Sequence, residues 1–206
     1  MKLSRLQDGL EQLDIAYTSS QIAQLQAYLQ LLQKWNRTYN LTAITDVNRM
    51  VAYHLLDSLA IIKYIPVRAH CLDVGTGAGL PGLPLAIMRA DSNWILLDSN
   101  GKKTRFVQQA IAESGISNVK VVQSRVEDYH ADSKLDVIVS RAYASLQDFA
   151  SSINHLWQPN TQVLSMKTEP DDMELQLIRA RHYNVEINRL QVPGIAEERC
   201  LVTLKR

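Results

Sequence analysis

The amino-terminal third of the chain carries the hydrophobic pattern of amphipathic helices. Two stretches there repeat apolar residues every three or four positions, with polar residues between them. Thr18 and Gln21 have the separation of a capping box at the start of the first stretch, and Asp46 can cap the second. Pro66 lies just beyond the second stretch, where it would prevent the helix from continuing. We therefore predict a helical extension over residues 1–68.

From residue 70 onward, short apolar runs alternate with helical stretches. The runs comprise residues 71–74, 94–97, 119–122, 135–139 and 161–166. The helical stretches between and after them comprise residues 80–89, 102–114, 145–157 and 170–181. This alternation predicts buried parallel strands joined by crossover helices, which is an α/β fold with a doubly wound sheet.

Two further apolar runs near the carboxyl terminus break this rhythm. They comprise residues 185–192 and 199–205, and the short loop between them contains Pro193 and Gly194. A connection this short suits an antiparallel pair at one edge of the sheet. The sequence therefore predicts a second domain over residues 69–206, with a Rossmann-like seven-stranded sheet and an antiparallel carboxyl-terminal edge.

The composition is that of an ordinary globular protein. The chain has 206 residues, of which 46% are hydrophobic and 21% are charged, enough for one sizeable core and an appendage. The 22 basic and 21 acidic residues leave a formal charge of +1, so no overall positive field attracts the protein to nucleic acid. Any contact with RNA must therefore come from local basic patches.

The two cysteines indicate the compartment. Cys71 and Cys200 both lie in apolar runs, which favours buried, reduced thiols over a disulfide framework or a metal site. No stretch approaches the roughly 20 apolar residues of a membrane span, and the acidic residues Asp8, Glu11 and Asp14 do not fit a signal peptide. We expect a cytoplasmic monomer that binds neither a metal nor a membrane.

The most informative stretch is LDVGTGAGLPG at residues 72–82, where a strand runs into a glycine-rich turn and then a helix. Its last part matches the G-x-G-x-x-G dinucleotide pattern, which is a weak signal by itself. Pro81 and Pro84 remove two backbone N–H groups that a pyrophosphate would need. S-adenosylmethionine has no phosphate, so we predict that Gly77 and Gly79 admit this cofactor. The alternative is a tight turn without a ligand.

Asp98 closes the second strand of the predicted sheet. An acidic residue at this place can accept hydrogen bonds from the ribose hydroxyls of the cofactor. The alternative interpretation is that Asp98 caps the following helix.

With these residues the sequence resembles a known family. It is similar to the bacterial family of small-subunit ribosomal RNA guanine-N7 methyltransferases, also called ribosomal RNA small subunit methyltransferase G or glucose-inhibited division protein B. Besides the glycine loop, the resemblance rests on Trp35-Asn36, Asn40-Leu41-Thr42, His54, Asp57-Ser58, Leu97-Asp98-Ser99, Gly101-Lys102, QSRVE at 123–127, Ser140-Arg141-Ala142 and Lys167. It implies a class I S-adenosylmethionine-dependent methyltransferase fold.

The resemblance also implies site residues and a substrate. Gly75 and Leu80 would line the cofactor, Val126 and Glu127 would flank its adenine, and Arg141 would close the site. The substrate would be N7 of one guanine in 16S ribosomal RNA, in a loop near the decoding region. Without the resemblance, Val126 and Glu127 could equally belong to an ordinary strand-to-loop transition, and Arg141 to a surface ion pair.

The residues at the end of the fourth strand agree with an N7 acceptor. Methylation of an exocyclic adenine amine usually requires an Asp/Asn-Pro-Pro-aromatic motif, whereas the sequence here is SRAY at residues 140–143. Methylation of a pyrimidine carbon requires a cysteine nucleophile, but Cys71 and Cys200 lie in predicted strands. Guanine N7 has an in-plane lone pair and needs positioning rather than a base. We therefore name no catalytic residue.

Basic residues near the predicted sheet ends are candidates for RNA binding. They comprise Lys102, Lys103, Arg105, Arg125, Arg141, Lys167 and Arg199. Their phosphate contacts would supply most of the affinity, and an unstacked guanine could pack against an aromatic such as Tyr143. The alternative for the cluster that begins at Lys102 is a solvated helix face.

The polar residues of the extension are harder to interpret. We predict structural roles for Asn36 and Asn40 near the end of the first helix. His54 and Asp57 either form a local polar pair or face the cofactor cleft.

Three functions therefore remain open. The first is a 16S ribosomal RNA methyltransferase that acts on naked RNA or on the small subunit. The second is an RNA-binding assembly factor that uses the fold as a cofactor sensor. The third is a methyltransferase that acts on a protein or a small molecule.

Overall fold

The computed structural model of the chain describes residues 3–141, 143, 145–169, 171–181 and 183–206. Several predicted positions lie outside these ranges: the first two residues of the extension, Ala142 of the quoted motif, and Pro170 at the predicted start of the last crossover helix.

The amino-terminal part is helical, as predicted. Its helices are α1 (Leu3–Gln12), α2 (Ser19–Tyr39), α3 (Val47–Met50) and α4 (Asp57–Leu59), with a π-helical turn (Val51–Leu56) between the last two. The predicted capping box is present, because the Thr18 hydroxyl accepts from the Gln21 N–H at 3.2 Å. Asp46 accepts from the Arg49 N–H at 2.8 Å and caps α3, also as predicted. The π-helical turn was not predicted.

Within the described ranges, seven strands form one sheet. They are β1 (His70–Val74), β2 (Asn93–Asp98), β3 (Val119–Gln123), β4 (Val137–Ser140), β5 (Gln162–Lys167), β6 (Asn184–Leu190) and β7 (Arg199–Lys205). Their order is β3-β2-β1-β4-β5-β7-β6. Strands β1 to β5 pair in parallel, whereas β7 runs antiparallel to both β5 and β6. The predicted fold and its antiparallel edge are confirmed.

The crossover helices are α5 (Gly82–Met88), α6 (Gly101–Ser114), α7 (Leu146–Ser152) and α8 (Asp172–Arg179). Three of them are shorter than predicted. The largest difference is at α7, where the backbone of residues 153–157 leaves the helix and forms turns. Since β1 and β4 are neighbours while their following helices lie on opposite faces, a crevice opens at the carboxyl ends of these two strands, where ligands bind in such sheets.

Two hydrophobic cores lie on the two faces of the sheet. On one face, Leu25 of α2 is fully buried in the same cluster as Leu83 of α5 and Phe106 of α6. On the other, Phe149 of α7 and Ile178 of α8 are fully buried. The helical extension therefore covers one face of the sheet and shares its core, and the domain boundary at residue 68 stays a prediction.

Candidate functional site

The glycine loop follows β1 and has a backbone that favours glycine. Gly75, Gly77 and Gly79 have positive φ angles of 70°, 60° and 89°, a region that L side chains rarely adopt. A Cβ atom on Gly75 would meet nothing within 4 Å, and one on Gly77 would meet only the Gly75 carbonyl oxygen at 3.9 Å. A Cβ on Gly79 would lie 3.2 Å from that of Leu83. Open space therefore lies beside Gly75 and Gly77, whereas Gly79 packs inward.

The first turn of α5 has no backbone donor to offer a pyrophosphate. The Gly82 N–H donates to the Asp73 carboxylate at 2.8 Å, and the Leu83 N–H donates to the Gly79 carbonyl at 2.7 Å. Pro84, the next residue, has no N–H group. At these three described positions every donor is used or absent, which strengthens the sequence argument against a dinucleotide.

Asp73 lies beneath the glycine loop with its side chain fully buried. Its Oδ2 atom accepts from the Thr76 hydroxyl at 2.6 Å and from the Gly82 N–H. Its Oδ1 atom has no hydrogen-bond partner among the described residues. Burial raises the pKa of Asp73 to about 6, although the two hydrogen bonds oppose the shift. A carboxylate oxygen without a partner is therefore placed directly under the loop.

Asp98 is the last residue of β2, and its carboxylate bonds to the glycine loop. One carboxylate oxygen accepts from the Gly77 N–H at 2.8 Å and the other from the Asn100 N–H at 2.8 Å. Lys103 Nζ lies 3.9 Å from the same carboxylate. The cap of α6 is Asn100, which accepts from the backbone of Lys102 and Lys103. The alternative interpretation of Asp98 as a helix cap is therefore wrong.

The other predicted cofactor residues lie at the same edge of the sheet. Val126 and Glu127 belong to a 3-10 turn (Val126–Asp128) that follows β3. Val126 is buried and Glu127 is exposed, while Leu80 is buried at the end of the loop. Since β3, β2 and β1 are adjacent and parallel, these residues and Asp98 line one continuous edge.

A second feature is a cleft of about 580 Å³ beside Arg141, which we name the Arg141 cleft. It brings together the π-helical turn, the segment after β4, the end of β5 and the start of β7. The polar and aromatic side chains in its wall include His54, Asp57, Arg141, Tyr143, Lys167 and Arg199. His54 and Asp57 thus line the Arg141 cleft, and their placement at the cofactor cleft stays a prediction.

Asp57 forms two ion pairs across this cleft. Its Oδ2 atom lies 3.3 Å from Arg141 Nη1, and its Oδ1 atom lies 3.2 Å from Arg199 Nε. Arg141 also donates to the Tyr53 carbonyl of the π-helical turn at 2.9 Å. Burial raises the pKa of Asp57, while the two guanidinium groups pull it down. The buried carboxylate joins the helical extension to β7 and to the residue that follows β4. Arg141 thus forms the ion pair of the alternative interpretation, but with a buried partner, and its role in closing the cofactor site stays a prediction.

His54 is buried and bonds to the loop that follows α2. Its Nε2 atom lies 3.0 Å from the Thr42 hydroxyl oxygen, and its Nδ1 atom has no partner among the described residues. Burial, together with the charge of Arg141, lowers the pKa of His54 to about 4. The imidazole is neutral near pH 7, and its partner is Thr42, so a local pair with Asp57 is not formed.

Asn36 and Asn40 have the structural roles predicted for them. The Asn36 side-chain oxygen accepts from the Thr42 N–H at 2.8 Å. Asn40 is the C-cap of α2 and has a left-handed backbone with a φ of 49°, a conformation that asparagine tolerates. Together they fix the turn that leads away from α2.

The cations predicted to bind RNA fall into two groups. Lys102, Arg105 and Arg125 are exposed near β2 and β3. On the other side of the sheet, Lys167 Nζ lies 2.6 Å from Glu174 Oε1, and Arg199 pairs with Asp57. The charges of Lys167 and Arg199 are thus compensated within the protein, and RNA contacts by both groups stay predictions.

One contact to the glycine loop escaped the sequence analysis. The hydroxyl of Tyr28, a fully buried residue of α2, donates to the Ala78 carbonyl at 2.8 Å. The only signal in the sequence is the position of Tyr28 on the apolar face of the helix, which is also that of a core residue. The prediction for Cys71 and Cys200 is confirmed, because both are buried free thiols.

Comparison with known proteins identifies the family. The sequence model of the rRNA small subunit methyltransferase G family matches residues 21–202. The chain belongs to this family. A member from Psychromonas ingrahamii is 43% identical over 204 residues, covering 99% of this chain and 98% of that protein. A member from Nitrosococcus oceani is 46% identical over 200 residues, covering 97% and 93%. The resemblance found in the sequence is confirmed.

Solved structures agree on the fold. An S-adenosylmethionine-dependent methyltransferase from Aquifex aeolicus superposes with a TM-score of 0.59 at 19% identity, covering 77% of this chain and 93% of that one. An rRNA methylase from Streptococcus thermophilus has a TM-score of 0.52 at 13% identity, covering 73% and 94%. Among the described residues, no helix has the length and hydropathy needed to cross a membrane.

Proposed function

We propose that the protein transfers a methyl group from S-adenosylmethionine to N7 of one guanine in 16S ribosomal RNA. As a member of the rRNA small subunit methyltransferase G family, it is an S-adenosylmethionine-dependent enzyme and its substrate is ribosomal RNA. The observation that carries the assignment of the cofactor site is the open space beside Gly75 and Gly77, where the Asp98 carboxylate accepts from the Gly77 N–H.

The residues at this edge fit the cofactor. The left-handed glycines allow the ligand to approach the backbone closely, and the Asp98 carboxylate has lone pairs beyond its two hydrogen bonds for ribose hydroxyls. Val126 offers an apolar surface to adenine, with Glu127 beside it for the amine. The residues that we assign to the cofactor are Gly75, Gly77, Leu80, Asp98, Val126, Glu127 and Arg141. Gly79, which the sequence analysis placed with them, packs against Leu83 and supports the turn from inside.

The Arg141 cleft is our candidate for the guanine site. It adjoins the carboxyl end of β4, and its volume of about 580 Å³ is within the range of small-molecule sites. Tyr143 lies in its wall and offers a ring on which a base can stack. An unstacked guanine could therefore reach the cofactor edge through this cleft.

The electrostatics of the cleft suit a reaction that leaves the base positively charged. When bound, S-adenosylmethionine would supply an electrophilic methyl group and leave as the neutral thioether when its S–C bond breaks, while guanine N7 supplies the electron pair for the new bond and loses no proton. Asp57 compensates guanidinium charge, Glu174 compensates Lys167, and His54 is neutral near pH 7. The protein thus limits the positive charge near the base and needs no general base.

A chemical map of 16S ribosomal RNA tests the proposal. N7-methylguanine is labile, so borohydride and aniline cleave the chain there. We expect one cleavage to be absent in a strain that lacks this gene and to return with the intact gene. Gly77→Val should not restore it, because its side chain enters the cofactor space.

Gly115→Val is a matched control for backbone strain. Gly115 has a φ of 63°, close to the 60° of Gly77, and it caps α6 away from the glycine loop. Thermal unfolding of both variants measures the cost of the strain, and Gly115→Val should restore the cleavage. A missing methyl group that maps to a ribose, another base or a protein would refute the N7 assignment. Normal 16S RNA in the deletion strain would favour an assembly factor.

A further inference from the structure

A second polar cleft lies in the helical extension, between the end of α2 and the start of α3. Its volume is about 670 Å³. The lining residues are mainly amides and hydroxyls, and we name it the amide cleft. They comprise Gln33, Asn36, Arg37, Asn40, Thr42, Ala43, Thr45 and Met50. Among these described residues there is one cation and no carboxylate.

The two clefts share a wall. The loop over residues 41–45 presents Ile44 to the Arg141 cleft, whereas Thr42, Ala43 and Thr45 line the amide cleft. The Thr42 hydroxyl also lies 3.0 Å from Nε2 of His54, which lines the Arg141 cleft. A chain that emerges from the Arg141 cleft therefore has to cross only this loop to enter the amide cleft.

The chemistry of the amide cleft matches single-stranded nucleic acid. Amide side chains both donate and accept hydrogen bonds, as the edges of nucleobases do. The Arg37 side chain is exposed and can pair with a phosphate. Tyr39, which precedes the C-cap Asn40 in sequence, lies outside the lining of the amide cleft, is 47% exposed, and packs its ring on Trp35 with the centroids 5.2 Å apart. A supported, exposed ring is a platform for stacking a base.

We propose that the amide cleft binds a single-stranded nucleotide that flanks the target guanine. Arg37 contacts its phosphate, Gln33 contacts its base edge, and Tyr39 stacks on a neighbouring base. This inference rests on the proposed function, because it requires a guanine in the Arg141 cleft. It gives the helical extension a direct part in selecting the RNA.

Methylation kinetics test the inference. The substrate is small ribosomal subunits from a strain that lacks the gene, and the methyl donor is radiolabelled S-adenosylmethionine. The variants are Gln33→Ala/Arg37→Gln, which changes two surface positions of α2, and Tyr39→Leu, which keeps an apolar contact to Trp35. Lys205→Gln is the control, because it removes a cation whose side chain is 48% exposed at the end of β7, whereas the start of β7 at Arg199 lines the Arg141 cleft.

We expect each test variant to raise KM for the subunit about tenfold, the effect of losing a phosphate contact or a stacked base. Its kcat and its affinity for S-adenosylmethionine should match the wild type. Loss of the Arg37 contact should also flatten the log–log salt dependence of binding by about 0.7 to 0.9. Lys205→Gln should change neither KM for the subunit nor the salt dependence of binding.

The outcomes separate this inference from the proposed function. If the wild type and Lys205→Gln methylate no ribosomal RNA, the proposed function itself fails. If the wild type is active and the Gln33/Arg37 variant has a normal KM, the cleft does not bind RNA. A raised KM with an unchanged salt slope would assign the cleft to a ribosomal protein and overturn the inference. A normal KM for Tyr39→Leu would show that Tyr39 does not stack on a base.

Discussion

Asp57→Asn removes the negative charge that joins the helical extension to β4 and β7 while keeping the size of the side chain. The carboxylate lies 3.3 Å from Arg141 and 3.2 Å from Arg199, and only 7% of its side-chain surface is exposed. At an effective dielectric constant of about 20, each pair has a Coulomb energy of about 5 kcal/mol before desolvation. Most of this energy is offset by the cost of burying the charges.

The expected net loss of stability in Asp57→Asn depends on the hydrogen bonds and the solvent exposure that Arg141 and Arg199 retain. Removing one partner of a buried ion pair usually costs about 3 to 5 kcal/mol. Arg141 keeps its bond to the Tyr53 carbonyl, and Arg199 keeps its bond to the Glu198 carbonyl. Their side chains are 24% and 14% exposed, so water screens part of the remaining charge. We therefore expect Asp57→Asn to lower the free energy of unfolding by about 2 to 3 kcal/mol.

Urea unfolding in a double-mutant cycle with Arg199→Gln provides the measurement. The two side chains interact directly, so the double variant should lose about 1 to 2 kcal/mol less than the sum of the single variants. Asp132→Asn is the control, because Asp132 lies at a similar 3.4 Å from Lys120 but 89% of its side chain is exposed. It should be as stable as the wild type. Additive single effects, or an Asp57→Asn variant as stable as the control, would show that the network does not join the elements.

Three other predictions concern the cofactor edge. In calorimetry, Asp98→Ala should weaken binding of S-adenosylmethionine by about 1 to 3 kcal/mol, and an unchanged affinity would exclude contact with the ribose. Replacing Lys102, Lys103 and Arg105 together should weaken RNA binding and flatten its salt dependence by about 0.7 to 0.9 per lost phosphate, whereas an unaltered slope indicates a solvated face. Because the pKa of Asp73 is raised to about 6, its ionisation destabilises the fold. The stability of the wild type relative to Asp73→Asn, measured by urea unfolding, should fall by up to about 3 kcal/mol between about pH 4 and pH 7; a constant difference would contradict this.

The parts of the site that are contiguous in sequence could be predicted. The end of β1, the glycine turn and the first residue of α5 occupy eleven successive positions at 72–82, so the order of these elements could be read from local residue preferences. The cap of α6 shows the limit of such reasoning. Asp98 and Asn100 are both good capping residues, and only the folded position of the Asp98 side chain, bonded to Gly77, assigns the cap to Asn100.

Contacts between distant positions could not be predicted. Asp57 is separated by 84 positions from Arg141 and by 142 from Arg199, and no local pattern pairs a carboxylate with either. The charge compensation of the basic residues predicted to bind RNA could not be foreseen either. The sequence places Lys167 at a strand end but does not reveal that Glu174 lies beside it. The π-helical turn also lacked a signal, since its residues are compatible with an ordinary α-helix.

The hydrogen bond from Tyr28 to the Ala78 carbonyl makes the helical extension part of the cofactor site in thermodynamic terms. Displacement of α2 on binding RNA would change the energy of this bond and with it the conformation of the glycine loop. Coupling between two ligands is reciprocal, so the factor by which RNA alters the affinity for S-adenosylmethionine must equal the factor by which S-adenosylmethionine alters the affinity for RNA. Tyr28→Phe, which keeps the ring in the core, would change both factors together.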